Sequence, residues 1–543
     1  MKYLSFLLSA CLAFWLPLSA SAAARESQTV DLLVYGGTAS GVITAYSAAR
    51  EGLHVILLEP GSHLGGIVTG GLSATDLGHY SIIGGYARDF YGKAAAHYGK
   101  DNLNQPANWY SEPHVDEQIF REMLSNAGVV VHFNERVREH NGVELSGTAL
   151  RSIITEDGKA WPAKIFADCS YEGDLMAQSK VSYTWGREAI ADYDESLAGV
   201  QAHSPGHQFQ WPLSAYDDNH RLLPEINPGP LAAPGSGDKL VQAYNFRVIL
   251  TRDPNKRLPF PLPENYDPSQ FALLRRYLDE FQTHMGHPPR LTDITNPVHI
   301  PNNKADFNNN GPVSTDYIGR SWNYPDGTYP QKAGIWREHL EYTKSFFYFI
   351  SHDPGVPESL RNEANEWGLP KDEFLDTDHW PNQLYIREAR RLVGSYVMRQ
   401  SDLQVDRTKP DSIGMGSYNS DSHNVQRVAM PDGNVQNEGN VEVPVEPYEI
   451  PYRIIVPKAS EATNLLVPVC VSATHVAYSS VRMEPQYMIM AHAAGVAASL
   501  AIRKHKAVQA IDIRALQKIL RKHHAILSLK DEFHAPELRP GGH

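Results

Sequence analysis

The chain has 543 residues, 42% hydrophobic, 20% charged and 10% aromatic, so it carries enough apolar material for a packed core and is not a disordered chain. Its 49 Lys and Arg against 62 Asp and Glu leave a formal charge of −13, which argues against a protein built mainly to grip phosphate backbones, and no nucleic-acid partner is expected. Three cysteines exclude a disulfide scaffold, and the length predicts several structural units or one large interrupted one.

Residues 1–22 read as a signal peptide. Lys2 gives a short positive start, Leu4 to Leu18 an apolar core, and Ala20-Ser21-Ala22 an A-x-A cleavage site. The apolar run is too short for a lasting membrane span, and no later segment approaches ~18 uninterrupted apolar residues. A periplasmic or secreted protein is therefore expected, with no stable membrane span. Leu8-Ser9-Ala10-Cys11 looks like a lipid-attachment box, but the apolar core runs on past Cys11, which disfavours lipidation. Cys169 and Cys470 remain, and are read as small buried hydrophobes rather than a bridge.

Asp31 to Tyr35 suits a buried parallel strand, and Gly36-Gly37-Thr38-Ala39-Ser40-Gly41 follows at once. Val42 to Arg50 reads as a small-residue helix ended by Gly52. His54 to Leu58 is a second strand with Glu59 at its end. A glycine turn admits a pyrophosphate to the backbone, the helix start adds positive potential, and an acid about twenty residues on accepts ribose hydroxyls. Gly36, Gly37, Thr38, Ser40, Gly41 and Glu59 are therefore candidate cofactor residues. Thr38 stands at the second glycine position of G-x-G-x-x-G, its side chain either turned from the phosphates or donating to them. Glu59 disfavours a 2′-phosphorylated nucleotide by repulsion.

FAD fits this unit better than NAD. A second glycine loop, His63 to Gly71, follows Glu59 directly and adds Gly65, Gly66 and Thr69 to the candidates. Val115 to Ala127 is an amphipathic helix and Val129 to Phe133 a strand, the continuation such a domain needs. Leu150 to Thr155 and Ala160 to Ala167 read as a hairpin-like insertion. Asp168 to Asp174 closes it with a small-residue–Gly–Asp turn that returns Asp174 to the cofactor.

From about 186 to 380 the α/β rhythm is lost and Pro, Asn, Gly, His and aromatics dominate, which suits an inserted substrate cap. Asp306 to Gly311 copies the first half of a calcium loop, but its twelfth position is Tyr317; an Asn-rich turn is favoured and no metal is expected. Asn302, Asn303, Asp306, Asn308, Tyr317 and Trp322 suit either a polyol site or an ordinary surface loop.

Leu384 to Arg399 is predicted to be a helix with Arg387 and Arg391 on one face. That face is either solvated and ion-paired, or aims a guanidinium at an anionic substrate or the flavin. Asp421 and His423, two apart, are a candidate base and its orienter, though a structural histidine has the same spacing. Asn464 to Val469 is a strand leading to Ser472-Ala473-Thr474-His475. The helix Tyr487 to Arg503 then presents Ala491, Ala494, Gly495 and Ala498 as a face slim enough for close backbone approach, which makes Gly495 a further cofactor candidate. Its N-terminus can support the flavin's pyrimidine edge, and His475, Arg482 and Glu484 are further polar candidates. Ile511 to His523 reads as a peripheral amphipathic helix.

The runs Val34 to Gly41, Glu59-Pro60 with His63 to Gly66, Glu112 to Val115 and Tyr171 to Asp174 resemble the FAD-dependent oxidoreductase family of glutathione-reductase-like fold. So do Trp380 to Tyr385, Arg387 to Arg391, Asp421 to Asn424 and Val467 to Ala498. The resemblance covers nearly the whole mature chain. It implies FAD, redox chemistry and an α/β fold, a Rossmann-like FAD-binding domain with an inserted α+β cap, and it supplies no substrate. The expected layout is FAD domain at 29–185, cap at 186–380, return to the FAD domain at 381–505, and C-terminal helix and tail at 506–543. The leading expectation is a secreted enzyme oxidising an alcohol or carbohydrate-like substrate by hydride transfer to flavin N5. Oxygen, a quinone or a cytochrome would accept the electrons, since no NAD(P)H pool lies outside the cytoplasm. His423 or His475 would act as base, with Arg391 and Asp421 as catalytic candidates. A polysaccharide lyase (a label some members carry), a glycan-binding protein on the same scaffold, and a flavin reductase fed by a cytochrome are the alternatives.

Overall fold

A computed structural model describes residues 30–532 other than 101, 202, 203 and 205. The signal peptide expected at 1–22, with Cys11, lies outside these residues. The first strand, β1 (Val30–Tyr35), is apolar at nearly every position because both its faces are covered: Leu32, Leu33 and Val34 have no exposed surface. It leads into helix α1 (Ala39–Arg50), strand β2 (Val55–Glu59), helices α2 (Gly85–His97) and α3 (Pro113–Asn126), and strand β3 (Val130–Phe133). Strands β4 (Val143–Ser146), β5 (Ala149–Ile154) and β6 (Ala160–Asp168) and the short helix α4 (Asp174–Gln178) complete this part.

The sheet order is β3-β2-β1-β6-β5-β4, with β1, β2, β3 and β6 parallel. Strand β6 serves two ladders. Ala160 to Pro162 pair antiparallel with β5, as the hairpin reading expects, while Ala163 to Asp168 run parallel to β1 at the centre of the sheet. Tyr35 aligns with both Leu58 and Asp168, so the turns after β1, β2 and β6 open at one carboxyl edge, where open α/β sheets bind ligands. Of the expected strand 464–469 only Leu465–Leu466 joins the sheet, parallel to Phe166 and Ala167.

The helix Glu484–Lys504 lies against α1. Its small face is used there: a methyl on Gly495 would fall 2.6 Å from Ser47 Cβ and 2.7 Å from Thr44 O. The close approach expected of Gly495 is thus to α1. The inserted region holds an antiparallel sheet of Val248–Thr251, Lys304–Asn309 and Thr295–Ile300, plus the helices Ala272–Met285 and Tyr329–His352. Thr328 starts the longer helix by accepting the Gln331 N–H. One contiguous apolar core runs from the parallel sheet into these helices.

Two expectations fail here. Leu384 to Arg399 is not a helix; it is a buried, mostly irregular segment in which Arg391–Leu392 pairs with Tyr183–Thr184. Arg387, Glu388, Arg390 and Arg391 are all buried, and tertiary partners replace the helical neighbours that the i,i+4 spacing implied. Asp306 to Asn309 is a strand rather than the expected Asn-rich turn, and Asp306 accepts two bonds from Arg247.

Candidate active site

The turn after β1 is shaped by close contacts. Gly36 has φ +92°, and a Cβ there would meet Ser170 N at 2.7 Å. Gly41, in the first turn of α1, comes so near Gly36 O that a methyl would lie 1.8 Å from it. The Thr38 hydroxyl donates to Cys169 O at 2.7 Å and accepts the Gly41 N–H at 3.2 Å, so it caps the helix and ties the turn to β6. The Thr38 hydroxyl hydrogen is thus used within the protein. The Ala39 and Ser40 amides have no backbone acceptor, as at any helix start. Ser40 Oγ is buried without a hydrogen-bond partner of ordinary length, the Cys169 thiol being a weak one.

Glu59 ends β2 beneath this turn, its Oε2 accepting the Gly37 N–H and its Oε1 the Gly61 N–H, both at 2.6 Å. Burial pushes its carboxyl up to about 7. The second glycine loop is bonded to the first through Gly65 N–H to Gly37 O at 2.7 Å. Thr69 Oγ1 closes it by donating to Leu64 O at 2.5 Å. Gly66 is pressed against Tyr171, whose hydroxyl accepts the Ile67 N–H and donates to Glu484 Oε1 at 2.7 Å. The end of this loop meets the rest of the chain: a methyl on Gly70 would lie 2.3 Å from Gln383 Cβ, and one on Gly71 2.0 Å from Arg247 O.

Beyond that contact lies a buried polar cluster drawn from distant segments. Arg247 bonds both oxygens of Asp306 at 2.8 Å, and Asp306 also accepts the Ala74 N–H. Asp76 accepts from the Tyr418 hydroxyl at 3.0 Å. Arg482 reaches the Tyr385 hydroxyl at 3.1 Å and Asp421 at 3.3 Å. Arg387 stacks over the Tyr385 ring and faces Asp316 at 3.1 Å.

His423 belongs to this cluster, and Nδ1 lies 2.7 Å from Asp316 Oδ2. Burial alone would raise the Asp316 carboxyl, but Arg387 and His423 beside it more than reverse that and hold it at about 2. Burial, then Arg387, hold the imidazole below its ordinary value despite Asp316. Nδ1 therefore carries the hydrogen and Nε2 the lone pair. The carboxylate on Nδ1 is thus Asp316 and not the expected Asp421, which lies 3.9 Å away on the Nε2 side and is bound to Arg482. Asp316 stands in a Ser-Thr-Asp-Tyr stretch with no period or motif, and sequence reasoning missed it, together with Asp76, Arg247, Tyr385 and Tyr418.

Two other catalytic candidates sit in a separate network. His475 Nδ1 is 2.7 Å from Glu388, and burial followed by Arg391 takes its pKa down to about 3. Arg391 has no exposed surface, and its guanidinium donates to Ala473 O, Gly186 O, Glu188 and Glu388. Neither faces His423; Gln242 stands between, accepting the His423 N–H and donating to Glu388. Both are buried and bonded within the protein. Asp174, expected at the cofactor, is held through Oδ1 by Lys332 and Arg390, both at 2.7 Å. Of the cap residues offered for a polyol, Asp306, Asn302 and Trp322 are bonded within the protein, and Tyr317 stacks on Tyr342. Among the described residues one group has metal-site spacing, Glu112, His114 and Glu373, and the Lys304 ammonium already sits 2.6 Å from both glutamates.

A family model described as FAD dependent oxidoreductase matches residues 31–520. The chain belongs to the FAD-dependent oxidoreductase family. FAD is therefore its cofactor and oxidoreduction its class, as the sequence motifs imply. The residues present fit that group: a glycine-lined helix start, an orphaned Ser40 hydroxyl and the Glu59 carboxylate lie where diphosphate and ribose are bound in such units. No curated protein matches this oxidoreductase. Solved structures similar to part of it include L-amino acid deaminase from Proteus vulgaris, at 12% identity over 30% of this chain and 53% of that one, TM-score 0.22. FAD-complexed glycerol-3-phosphate dehydrogenase from Bacillus halodurans follows at 16% identity, 28% and 37% coverage and TM-score 0.21. Thioredoxin reductase from Lactococcus lactis gives 20%, 26%, 35% and 0.18. The chain thus spans between 35% and 53% of the length of these three proteins.

Proposed function

We propose that this protein oxidises an alcohol-bearing substrate, carbohydrate-like in class, with His423 as the base that takes the hydroxyl proton. Bound FAD would supply the hydride acceptor, held by Gly36, Gly37, Ser40, Gly41, Glu59, Gly65 and Gly66. One observation carries the reading. The His423–Asp316 pair leaves a lone pair on Nε2 inside a buried cluster that touches the second glycine loop at Gly71. Within that cluster Arg387 Nε and Arg482 Nε are buried without partners, so N–H donors remain to bind a substrate oxygen. Asp316 would orient the imidazole and stabilise its charged form once the proton arrives. The buried surroundings keep water from the reacting hydroxyl.

The signal-peptide pattern at 1–22 supports export to the periplasm or beyond, where oxygen, a quinone or a cytochrome would reoxidise the enzyme. No helix among the described residues is long and apolar enough to cross a membrane. The test is anaerobic bleaching of the flavin absorbance by a panel of sugars, polyols and simple alcohols. A substrate should bleach the native protein and bleach His423→Asn and Asp316→Asn ~10²–10⁴-fold more slowly, at equal FAD content. Bleaching by an alcohol at an unchanged rate in both variants would remove His423 from the mechanism.

A further inference from the structure

The mechanism above leaves Glu484 unused. It opens the helix Glu484–Lys504, is 3% exposed, and its Oε2 meets no partner. Two residues on, Gln486 has no exposed surface, and neither its amide oxygen nor its nitrogen is bonded. Unpaired polar atoms this deeply buried are costly unless something absent from the protein chain meets them. Their position says what. Glu484 Oε1 takes the Tyr171 hydroxyl, Tyr171 is pressed on Gly66, and the Gly66 loop is bonded to the turn after β1.

We propose that Glu484, held by Tyr171, is the group through which this oxidoreductase takes up a solvent proton when its bound flavin gains electrons. The inference rests on the flavin lying between the two glycine loops and this helix start. Reduction by hydride adds two electrons and one proton to the cofactor and leaves one extra negative charge. Beside that charge the Glu484 carboxylate forms an O–H bond with a proton taken from water, hydroxide being left to the buffer. The local charge is then unchanged, and nothing further is oxidised or reduced.

The surroundings allow this. The titratable groups facing Glu484 are phenols: Tyr171 after β6, Tyr487 on its own helix and Tyr91 on α2. Arg482, the nearest cation in sequence, turns to Asp421 and Tyr385. Burial against these neutral neighbours pushes the carboxyl up to about 8, the Tyr171 bond opposing it.

The experiment is a spectroelectrochemical titration of FAD-loaded native protein and Glu484→Gln across roughly pH 6 to 10, reading protons taken up per electron pair from the slope of potential against pH. Native protein should take up one more proton than the variant above about pH 8, and the same number below it. Tyr171→Phe should keep the extra proton and move its onset upward. Equal slopes in native and Glu484→Gln throughout would overturn the proposal. If the variant's flavin spectrum and potential nonetheless differ from native, only proton uptake fails; if neither differs at any pH, the flavin is not beside Glu484. Should Glu484→Gln lose FAD, native protein decides alone. Its reduced-minus-oxidised infrared spectrum above pH 8 should gain a carboxylic-acid carbonyl band, and a spectrum without that gain refutes the idea.

Discussion

Gly41→Ala is the sharpest probe of the cofactor cradle, because two effects of opposite sign meet at one residue. Gly41 is helical, so an alanine would by propensity alone stabilise α1 by about 1 kcal/mol. The added methyl, however, would lie 1.8 Å from Gly36 O and 3.0 Å from Gly36 C, both backbone atoms that no rotamer change can move. An ordinary contact begins near 3.4 Å, so helix and turn must separate by about 1.5 Å. Overpacking of this kind costs about 1–3 kcal/mol, which outweighs the propensity gain. The displaced turn would also carry the Ser40 hydroxyl and the two free amides away from the diphosphate they are proposed to hold. A ligand at a thousandfold excess over its Kd adds about 4 kcal/mol to the folded state, and the variant forfeits that as well. Two readings check this: the ratio of flavin to protein absorbance after purification, and thermal scans with and without added FAD. We expect pale protein whose transition FAD does not raise. A variant as yellow as native, with the same upward shift on adding FAD, would refute the reasoning.

Gly92→Ala and Gly334→Ala supply the opposite sign: both lie inside helices with nothing within 4 Å of the new methyl, so each should raise stability by about 0.5–1 kcal/mol in denaturant titrations. Lys304→Met should cost about 3–5 kcal/mol, because Glu112 and Glu373 would keep their buried charges without the ammonium between them; chemical denaturation measures it. Glu59 is pushed up to about 7 by burial, so lowering the pH through 7 protonates it in the empty protein and removes an acceptor for the ribose hydroxyls. FAD affinity, followed by flavin fluorescence quenching, should therefore weaken as pH falls from 8 to 6, and Glu59→Gln should bind weakly with no such dependence.

The cofactor half was legible because its information is local. Strand, glycine turn, helix, strand and acid fall within 30 residues, and each piece is recognisable from its own neighbours. The half proposed to be catalytic was not. His423 and Asp316 are 107 residues apart, and nothing around Asp316 marks it as a partner. The misread helix at 384–399 has the same cause. Arg387, Glu388, Arg390 and Arg391 look like a solvated helical face, since charged residues are rarely buried without partners. Their partners, Asp316, His475, Asp174 and Glu188, lie far along the chain and only the fold reveals them. Gly495 was recognised as a close-approach residue, but the approach is to α1, a pairing between residues more than 400 apart.

Why so many charges are buried around His423 follows from what they join. A buried ion pair is a poor source of stability compared with apolar packing of the same volume, and breaking one partner is costly. Such pairs do, however, fix position sharply, because a displaced member leaves an unpaired charge. Here Asp306 ties the segment after the second glycine loop to Arg247 of the cap. Asp421 ties Arg482, just before the helix Glu484–Lys504, to the loop that carries His423. Arg387 then faces Asp316, which holds the His423 ring. Remote stretches of sequence are thereby locked to the segment after the second glycine loop, and the His423 imidazole is held at a set place relative to it. An apolar cluster would hold the same segments together but would let them slide, and a base displaced by 1 Å loses much of its rate.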